Sequence, residues 1–354
     1  MLRLGSGAAV TLAFATLLVD ASLLAQRQDA GAPRESIVER SRVWMPIDVP
    51  SMDLRTGPAG PGSFAPNETV TCEYVDEDLS GASPKFACRL PDGDQLKVKY
   101  GGTNGEVYGE VAASRLLWAL GFGADRMYSV RVVCRGCPER IGGILRDNGD
   151  RIVDPAAVER KLGRELVDKW DWEALERTDP SAGGATPAER DALKLLAVLL
   201  QHSDSKPRNQ RIVCLDTSAE DEAACARPMM IVQDLGVTFG RANPMNQQPR
   251  ASVNLAEWAE IPIWKGTEGC VGNLSGSLKG TLKNPTISEA GRKFLGSLLV
   301  QLSDEQLADM FEAARVALRP RSPSSGRSGF PAVDEWVQAF KRKRAEIVER
   351  HCGS

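Results

Sequence analysis

Histidine is scarce in this chain, and neither sign of charge dominates it. The 354 residues include 2 His, and the formal net charge at pH 7 is -3. A balance so close to zero argues against a nucleic-acid partner, because binding nucleic acid needs a basic surface that neutralises phosphates. Hydrophobic residues at 42% and charged residues at 26% are ordinary for a globular protein, and the length is enough for one large domain or two modest ones.

The apolar run near the N-terminus is too short to span a bilayer comfortably. It extends from Ala8 to Val19, follows Arg3, and gives way to small and polar residues through Gln26. This layout is typical of a secretory signal, so residues 1–25 are predicted to be a signal peptide that is cut between Ala21 and Ala25. An uncleaved anchor is the alternative. We expect a secreted or periplasmic protein without a stable transmembrane span.

The cysteine content supports export independently, because all 8 cysteines lie beyond the predicted signal and an even count suits an oxidising compartment. Short spacing favours the pairs Cys72–Cys88 and Cys214–Cys225, and Cys270–Cys352 would then attach the C-terminal helix. Cys134-Arg-Gly-Cys137 is open to three interpretations: a local disulfide, a redox motif or half of a zinc site. The turn residues after it and the scarcity of histidine favour the local disulfide.

Composition and periodicity divide the rest of the chain into three parts. Residues 26–68 are rich in Pro, Gly and Ser and are predicted to be an extended linker. Residues 69–140 carry several short strand patterns and one helical pattern, from Glu106 to Leu120, and form the first of two predicted lobes. Residues 141–354 form the second lobe, which is expected to be mostly helical from Asp154 to Leu318. The fold class is therefore α+β.

Two short motifs carry the chemical signal. Residues 202–209 read H-S-D-S-K-P-R-N, and an isolated D-L-G begins at Asp234. Phosphoryl transfer needs a carboxylate near the attacking hydroxyl, a cation near the moving phosphate, and oxygen ligands for a metal ion. Asp204, Lys206, Asn209 and Asp234 supply these groups in order.

The surroundings of the motifs strengthen this interpretation. Gln210 to Leu215 and Met229 to Gln233 are predicted strands of a hairpin, so Asn209 and Asp234 should meet in space and could hold Mg²⁺ or Mn²⁺ through oxygen. The alternative is that these polar residues are only helix caps and turn formers. That alternative explains each residue separately but not their order. His202 is interpreted as a buried structural residue beneath the loop.

These residues resemble the catalytic loop and the metal-binding D-x-G of the protein-kinase-like superfamily. Asp234-Leu-Gly-Val-Thr-Phe-Gly is similar to the D-x-G-x-x-F-G of secretory-pathway kinases typified by Golgi casein kinase, and HipA-type and lipid kinases carry related loops. The resemblance implies a two-lobed fold with a small β-rich N-lobe that contains one helix and a larger helical C-lobe. It is strongest at residues 200–240.

The resemblance also implies a role for each matching residue. Asp204 would be the catalytic base, Lys206 would contact the γ-phosphate of ATP, and Asn209 and Asp234 would hold the metal. A strand lysine and a helix glutamate would clamp the other phosphates. Lys99 and Glu110 fit best, although Lys97 lies on the same strand face and Glu106 on the same helix. The segment Ser80 to Lys85 resembles a phosphate-facing loop, in which Lys85 would bind nucleotide, or it is a plain hairpin turn.

Several features depart from ordinary protein kinases. A G-x-G-x-x-G loop and an A-P-E signal are missing from the sequence, and Ser203 replaces the arginine that usually precedes the catalytic aspartate. The acceptor could therefore be a protein, a lipid or a small molecule. The sequence predicts an exported kinase-like enzyme that uses ATP or another nucleotide. The alternatives are a pseudokinase that binds without turnover and a kinase-fold enzyme that transfers AMP.

Overall fold

The computed structural model describes residues 36–81, 83–216, 225–240, 252–276, 279–321 and 328–353. The predicted signal peptide, residues 1–25, lies outside the described residues, and so does the start of the predicted linker. Within the described ranges the protein is mixed α+β, with a β-rich region followed by several helices. This agrees with the predicted fold class.

The first sheet brings together six strands. They are β1 (Thr69–Val75), β2 (Lys85–Arg89), β3 (Gln95–Tyr100), β4 (Arg126–Arg135), β5 (Ile144–Leu145) and β6 (Arg151–Arg160). Their order is β3-β2-β1-β4-β6-β5, and an additional pairing of β3 with β6 joins five of them into a ring. Only β1 and β4 run parallel among the pairs of this sheet. The predicted strands between residues 69 and 135 are thereby confirmed.

Helix α1 (Glu106–Ala119) connects β3 to β4, as its helical periodicity predicted. It is buried on almost every side, because it packs against the first sheet and also against the later helix that spans Asp304–Ala313. Gly121 ends it in the left-handed backbone region, where φ is +82°. A Cβ atom at this position would also lie 2.3 Å from the carbonyl oxygen of Met45.

The remainder of the chain combines a small sheet with helices. The strands are β7 (Arg164–Val167), β8 (Gln210–Cys214) and β9 (Pro228–Val232), and the helices are α2 (Pro187–Leu200), α3 (Leu255–Glu260), α4 (Glu289–Leu299), α5 (Asp304–Ala313) and α6 (Val333–Glu349). The expected capping box opens α2, where Thr186 and Glu189 satisfy each other's backbone N–H groups.

The expectation that the chain is mostly helical from Asp154 is wrong at its start, because β6 and β7 occupy most of residues 151–167. The predicted lobe boundary at residue 140 thus falls inside the first sheet.

The described part of the predicted linker, residues 36–68, is a packed strap and not a free linker. Val43, Val49 and Leu54 are fully buried in the main core. On α1, Arg115 donates two hydrogen bonds of 2.7 Å to the carbonyl oxygens of Leu54 and Arg55. The strap was misread because its Gly- and Pro-rich composition hides isolated apolar residues that tertiary contacts bury.

Four disulfides join the pairs that the sequence analysis predicted. They are Cys72–Cys88, Cys134–Cys137, Cys214–Cys225 and Cys270–Cys352. The local disulfide interpretation of the C-x-x-C segment is therefore confirmed over the zinc interpretation. Such a set of disulfides fits an oxidising compartment. None of the helices in the described ranges is long and apolar enough to cross a membrane.

Candidate functional site

A single lysine ammonium lies among three carboxylates where β3, α1 and the D-L-G segment meet. Nζ of Lys99 is 2.8 Å from Glu106 Oε2 and 2.7 Å from Asp234 Oδ1, and it also forms a short ion pair with Glu110. Lys99 and Glu110 are each 2% exposed, whereas the side chain of Asp234 is 40% exposed. This cluster is buried at one end and open to solvent at the aspartate. Both glutamates that the sequence left open reach the lysine.

The other lysine on this face of the strand has a different partner. Lys97 forms an ion pair with Glu159 on β6. The two residues continue the antiparallel register in which Val98 pairs with Val158. The structure therefore brings Lys99, and not Lys97, into contact with Asp234.

Burial and the neighbouring charges have opposite effects on the pKa values of Lys99, Asp234 and Glu110. Burial alone would lower the pKa of Lys99, but the three carboxylates raise it well above its ordinary value. Burial would raise the pKa of Asp234, but the charge and hydrogen bond of Lys99 hold it below its usual range. The pKa of Glu110 rises to about 8 because burial outweighs the attraction of Lys99. Asp234 is thus the carboxylate that Lys99 holds most firmly in its ionised form.

Two glycines allow α1 to approach the D-L-G segment this closely. A Cβ atom at Gly236 would lie 2.6 Å from Cγ of Glu106, and one at Gly109 would lie 2.9 Å from the carbonyl oxygen of Gly236. Any side chain at either position would push the helix away from Asp234. The glycine of D-L-G is therefore required for packing at this contact.

The segment after the D-L-G motif is anchored in the helical core. Phe239 has a positive φ of 56° and its side chain is 1% exposed. Its ring centroid lies 5.1 Å from that of Trp258 and 5.9 Å from that of Phe311. This aromatic packing fixes the backbone that follows Asp234 and accounts physically for the phenylalanine in the motif.

The other motif forms a compact loop after α2. Gln201 ends the helix in the left-handed region, with φ of 56°. Lys206 Nζ lies 2.7 Å from Asp204 Oδ1. Asn209 Nδ2 donates to the carbonyl oxygen of Asp204 at 2.7 Å and to its Oδ2 at 3.2 Å. The three residues to which the sequence gave roles here are therefore direct neighbours.

Backbone pairing connects this loop to the D-L-G segment. The predicted hairpin is formed by β8 and β9, in which Gln210 pairs with Val232. Beyond the last ladder pair, the N–H of Gln233 donates to the carbonyl oxygen of Asn209 at 2.9 Å. Asn209 and Asp234 are thereby brought to the same end of the hairpin, as the sequence predicted.

His202 lies under the loop with both ring nitrogens buried. Neither Nδ1 nor Nε2 has a hydrogen-bond partner among the described residues. Burial lowers the pKa of this imidazole to about 4, against the opposing charges of Asp204 and Asp234. The ring is therefore neutral at pH 7. This fits the structural interpretation of His202, since it packs beside Leu200 and Leu235.

The predicted phosphate-facing segment borders the carboxylate cluster. Ser83 Oγ donates to Glu106 Oε2 at 2.7 Å, and Lys85 Nζ donates to the carbonyl oxygen of Ser80 at 2.6 Å. Burial and the repulsion of Lys99 lower the pKa of Lys85. Lys85 is also directly opposite Lys99 in the register of β2 and β3, so the two side chains leave the same face of the sheet.

A cavity of about 730 Å³ adjoins the cluster, and sequence reasoning missed it. It lies between β2, β3 and β6, and Gln233, directly before Asp234, forms part of its wall. Lys97, Glu159 and Pro61 of the strap also line it. No local pattern could have revealed it, because its walls come from segments up to 172 positions apart, from Pro61 to Gln233.

The oxygen donors suit a hard divalent cation. Nδ2 of Asn209 is occupied by Asp204, which leaves its Oδ1 as a possible ligand, and Asp234 uses Oδ1 for Lys99 and keeps Oδ2. Amide and carboxylate oxygens are the ligands that Mg²⁺ and Mn²⁺ prefer. Glu106, Glu110 and Asp234 also have carboxylate oxygens within 4.8 Å of one another. The ammonium of Lys99 already contacts all three members of that second group.

Comparisons with known proteins give little further guidance. No family model and no curated protein matches this chain. Among solved structures, it is similar to the crystal structure of a Helicobacter pylori proinflammatory kinase, CtkA, with 11% sequence identity and a TM-score of 0.44. The match covers 80% of this chain and 96% of the other. A similarity this low carries no argument about the fold or the activity of the present chain.

Proposed function

We propose that this protein is an exported, kinase-like phosphotransferase with two lobes. It moves the γ-phosphate of ATP, or of another nucleotide, to the hydroxyl group of an acceptor that is a protein, a lipid or a small molecule. One observation carries the proposal: Lys99 contacts Glu110 and Asp234 at once, and Asp234 adjoins the loop that holds Asp204 and Asn209. Helix caps and turn formers would have no reason to converge on a buried lysine.

Each side chain has a role that follows from its surroundings. Lys99 binds the inner phosphates, and Glu110 and Glu106 hold its ammonium in place. Asp204 orients the attacking hydroxyl and receives its proton, because it is the carboxylate of the loop that lies beside Lys206 and Asn209. Lys206, 2.7 Å from Asp204, supplies positive charge next to the phosphate that is transferred.

Asn209 and Asp234 would hold Mg²⁺ or Mn²⁺, which neutralises charge on the phosphates when it is bound. Lys85 and the segment before it would cover the phosphates from the side of the first sheet. The low pKa of Asp234 keeps this residue ionised across the physiological range, as a metal ligand requires.

Export is part of the proposal. The four disulfides fit an oxidising compartment, and the apolar run of residues 8–19 has the layout of a secretory signal. Secretory-pathway kinases, which the D-x-G-x-x-F-G segment resembles, are also disulfide-bearing. The nucleotide would then come from a compartment outside a bacterial cytoplasm.

The test is incubation of the oxidised chain with Mn²⁺ and γ-labelled ATP, alone and with generic protein, lipid and sugar acceptors. Asp234→Ala is the inactive variant, and Asp147→Ala, an exposed turn residue, is the matched control. Label transfer that is lost only in Asp234→Ala supports the phosphotransferase. Incorporation of label from α-labelled ATP would instead indicate AMP transfer. If neither label is transferred although ATP binds, the chain is a pseudokinase.

A further inference from the structure

The cavity beside Asp234 has unusual walls for a ligand site. At about 730 Å³ it is large enough for a nucleoside, and such pockets are mostly lined by apolar and aromatic side chains. Here the lining includes the charged residues Lys97, Glu159, Arg126 and Lys161. A ligand that fills this space must therefore offer polar groups to charged partners.

The ion pair of Lys97 and Glu159 forms part of the wall of this cavity. Lys97 lies two residues before Lys99 on β3, so both side chains emerge from the same face of the strand. The pair is only partly exposed, at 34% for Lys97 and 11% for Glu159. A nucleotide whose phosphates reach Lys99 would place its base against this pair.

The pair also has a rigid support. Asp125 lies close to Glu159 and is held by an ion pair with Arg211 on β8 and by a 2.8 Å hydrogen bond from the N–H of Leu162. Leu162 lies two residues after the end of β6. The backbone that carries Glu159 is therefore fixed to the hairpin that leads to Asp234. This contact holds the Lys97–Glu159 pair at a constant position relative to Asp234.

We propose that Lys97 and Glu159 select the base of the donor nucleotide by hydrogen-bonding its amino edge. This inference rests on the proposed function, because it assumes that a nucleotide is the donor. Glu159 contacts Lys97 through Oε2, which leaves Oε1 to accept a hydrogen bond from an exocyclic amine. Lys97 keeps donors for a neighbouring ring nitrogen. Adenine presents this combination of an amine next to an acceptor nitrogen.

The decisive experiment compares ATP with an analogue that lacks the 6-amino group of the base. Isothermal titration calorimetry with Mn²⁺ measures the binding of ATP, of purine riboside triphosphate, which lacks the 6-amino group, and of inorganic triphosphate. We expect the wild-type chain to bind ATP at least about tenfold more tightly than the purine riboside analogue, because the analogue leaves Glu159 without its partner. Inorganic triphosphate should bind more weakly than either.

The matching variant removes both charges, since removing one would leave the other unpaired. Lys97→Met with Glu159→Met should bind ATP and the analogue equally and keep the wild-type affinity for inorganic triphosphate. Arg131→Met, which removes an ion pair with Asp154 on the same sheet, should keep the preference. A thermal melt of each variant checks folding. The wild-type comparison does not depend on any variant.

The outcomes separate this inference from the proposed function. Equal binding of ATP and the analogue by the wild type, or a preference that survives in the double variant, overturns the role of the pair. ATP that binds with the expected preference but is never used in phosphoryl transfer overturns the proposed function and leaves the role of the pair intact. If neither ATP nor triphosphate binds, both are overturned.

Discussion

Acidification should destabilise this protein through His202. Burial lowers the pKa of its imidazole from 6.5 to about 4, so the unfolded chain binds a proton at a pH where the folded chain does not. The stabilising effect of the neutral ring is fully present above pH 6.5 and is lost as the pH falls towards 4. A difference of this size corresponds to about 3 kcal/mol in the free energy of unfolding.

His202→Leu isolates this contribution. The ring lies beside Leu196, Leu200 and Leu235, so an isobutyl side chain suits its surroundings. The substitution also removes two buried nitrogens that have no partner in the described part of the chain, and it should be neutral or stabilising by about 1 kcal/mol at pH 7. The stability advantage of the variant over the wild type should then grow by about 3 kcal/mol between pH 7 and pH 4.

Urea unfolding of the oxidised proteins at pH 7, 5.5 and 4 measures the difference between wild type and variant. The other titrating groups cancel in this difference because both chains share them. If the difference stays constant to within about 0.5 kcal/mol across the three pH values, His202 does not titrate as its burial requires and the reasoning is refuted. A variant that is strongly destabilised at pH 7 would mean that the ring has a partner the packing does not reveal.

Three further outcomes can be measured. Arg115→Met should lower the free energy of unfolding by about 2 kcal/mol in urea titrations, because two strap carbonyls, one of them buried, lose a charged donor. Replacing Cys270 and Cys352 with alanine should cost about 4 kcal/mol in the same assay, since that disulfide closes a loop with a sequence separation of 82. In kinetic assays, Glu110→Ala should reduce kcat/KM about tenfold more than Glu106→Ala, because only Glu110 is fully buried against the lysine.

Local sequence signals predicted the elements that carry the motifs. The hairpin of β8 and β9 was predictable because two buried runs flank the loop, and α2 was predictable from its capping box. The signals that predict these elements lie within the segments themselves. The disulfide pairs could also be predicted from the sequence, because three of them close short loops.

Strand β6 was missed because its pattern is interrupted by Pro155. Proline lacks the N–H that a central strand needs, which normally argues against such an assignment. In the structure, the register between β4 and β6 shifts between Val130 and Val132, and Asp154 and Pro155 fall at this irregularity. On the other edge of β6, the pairing with β5 has ended and the pairing with β3 begins at Ala156. Proline is tolerated at the one place where neither neighbour requires its N–H.

The misread strap has the largest consequence for the site. A domain that started at residue 69, as composition suggested, would lack Pro61 and Gly62, which line the cavity. It would also leave Arg115 without the carbonyls that hold α1 from its outer side. Because α1 carries the two glutamates that contact Lys99, the position of that lysine depends on a segment that sequence composition assigns to a linker. The candidate site therefore depends on the strap as well as on the motif-bearing segments.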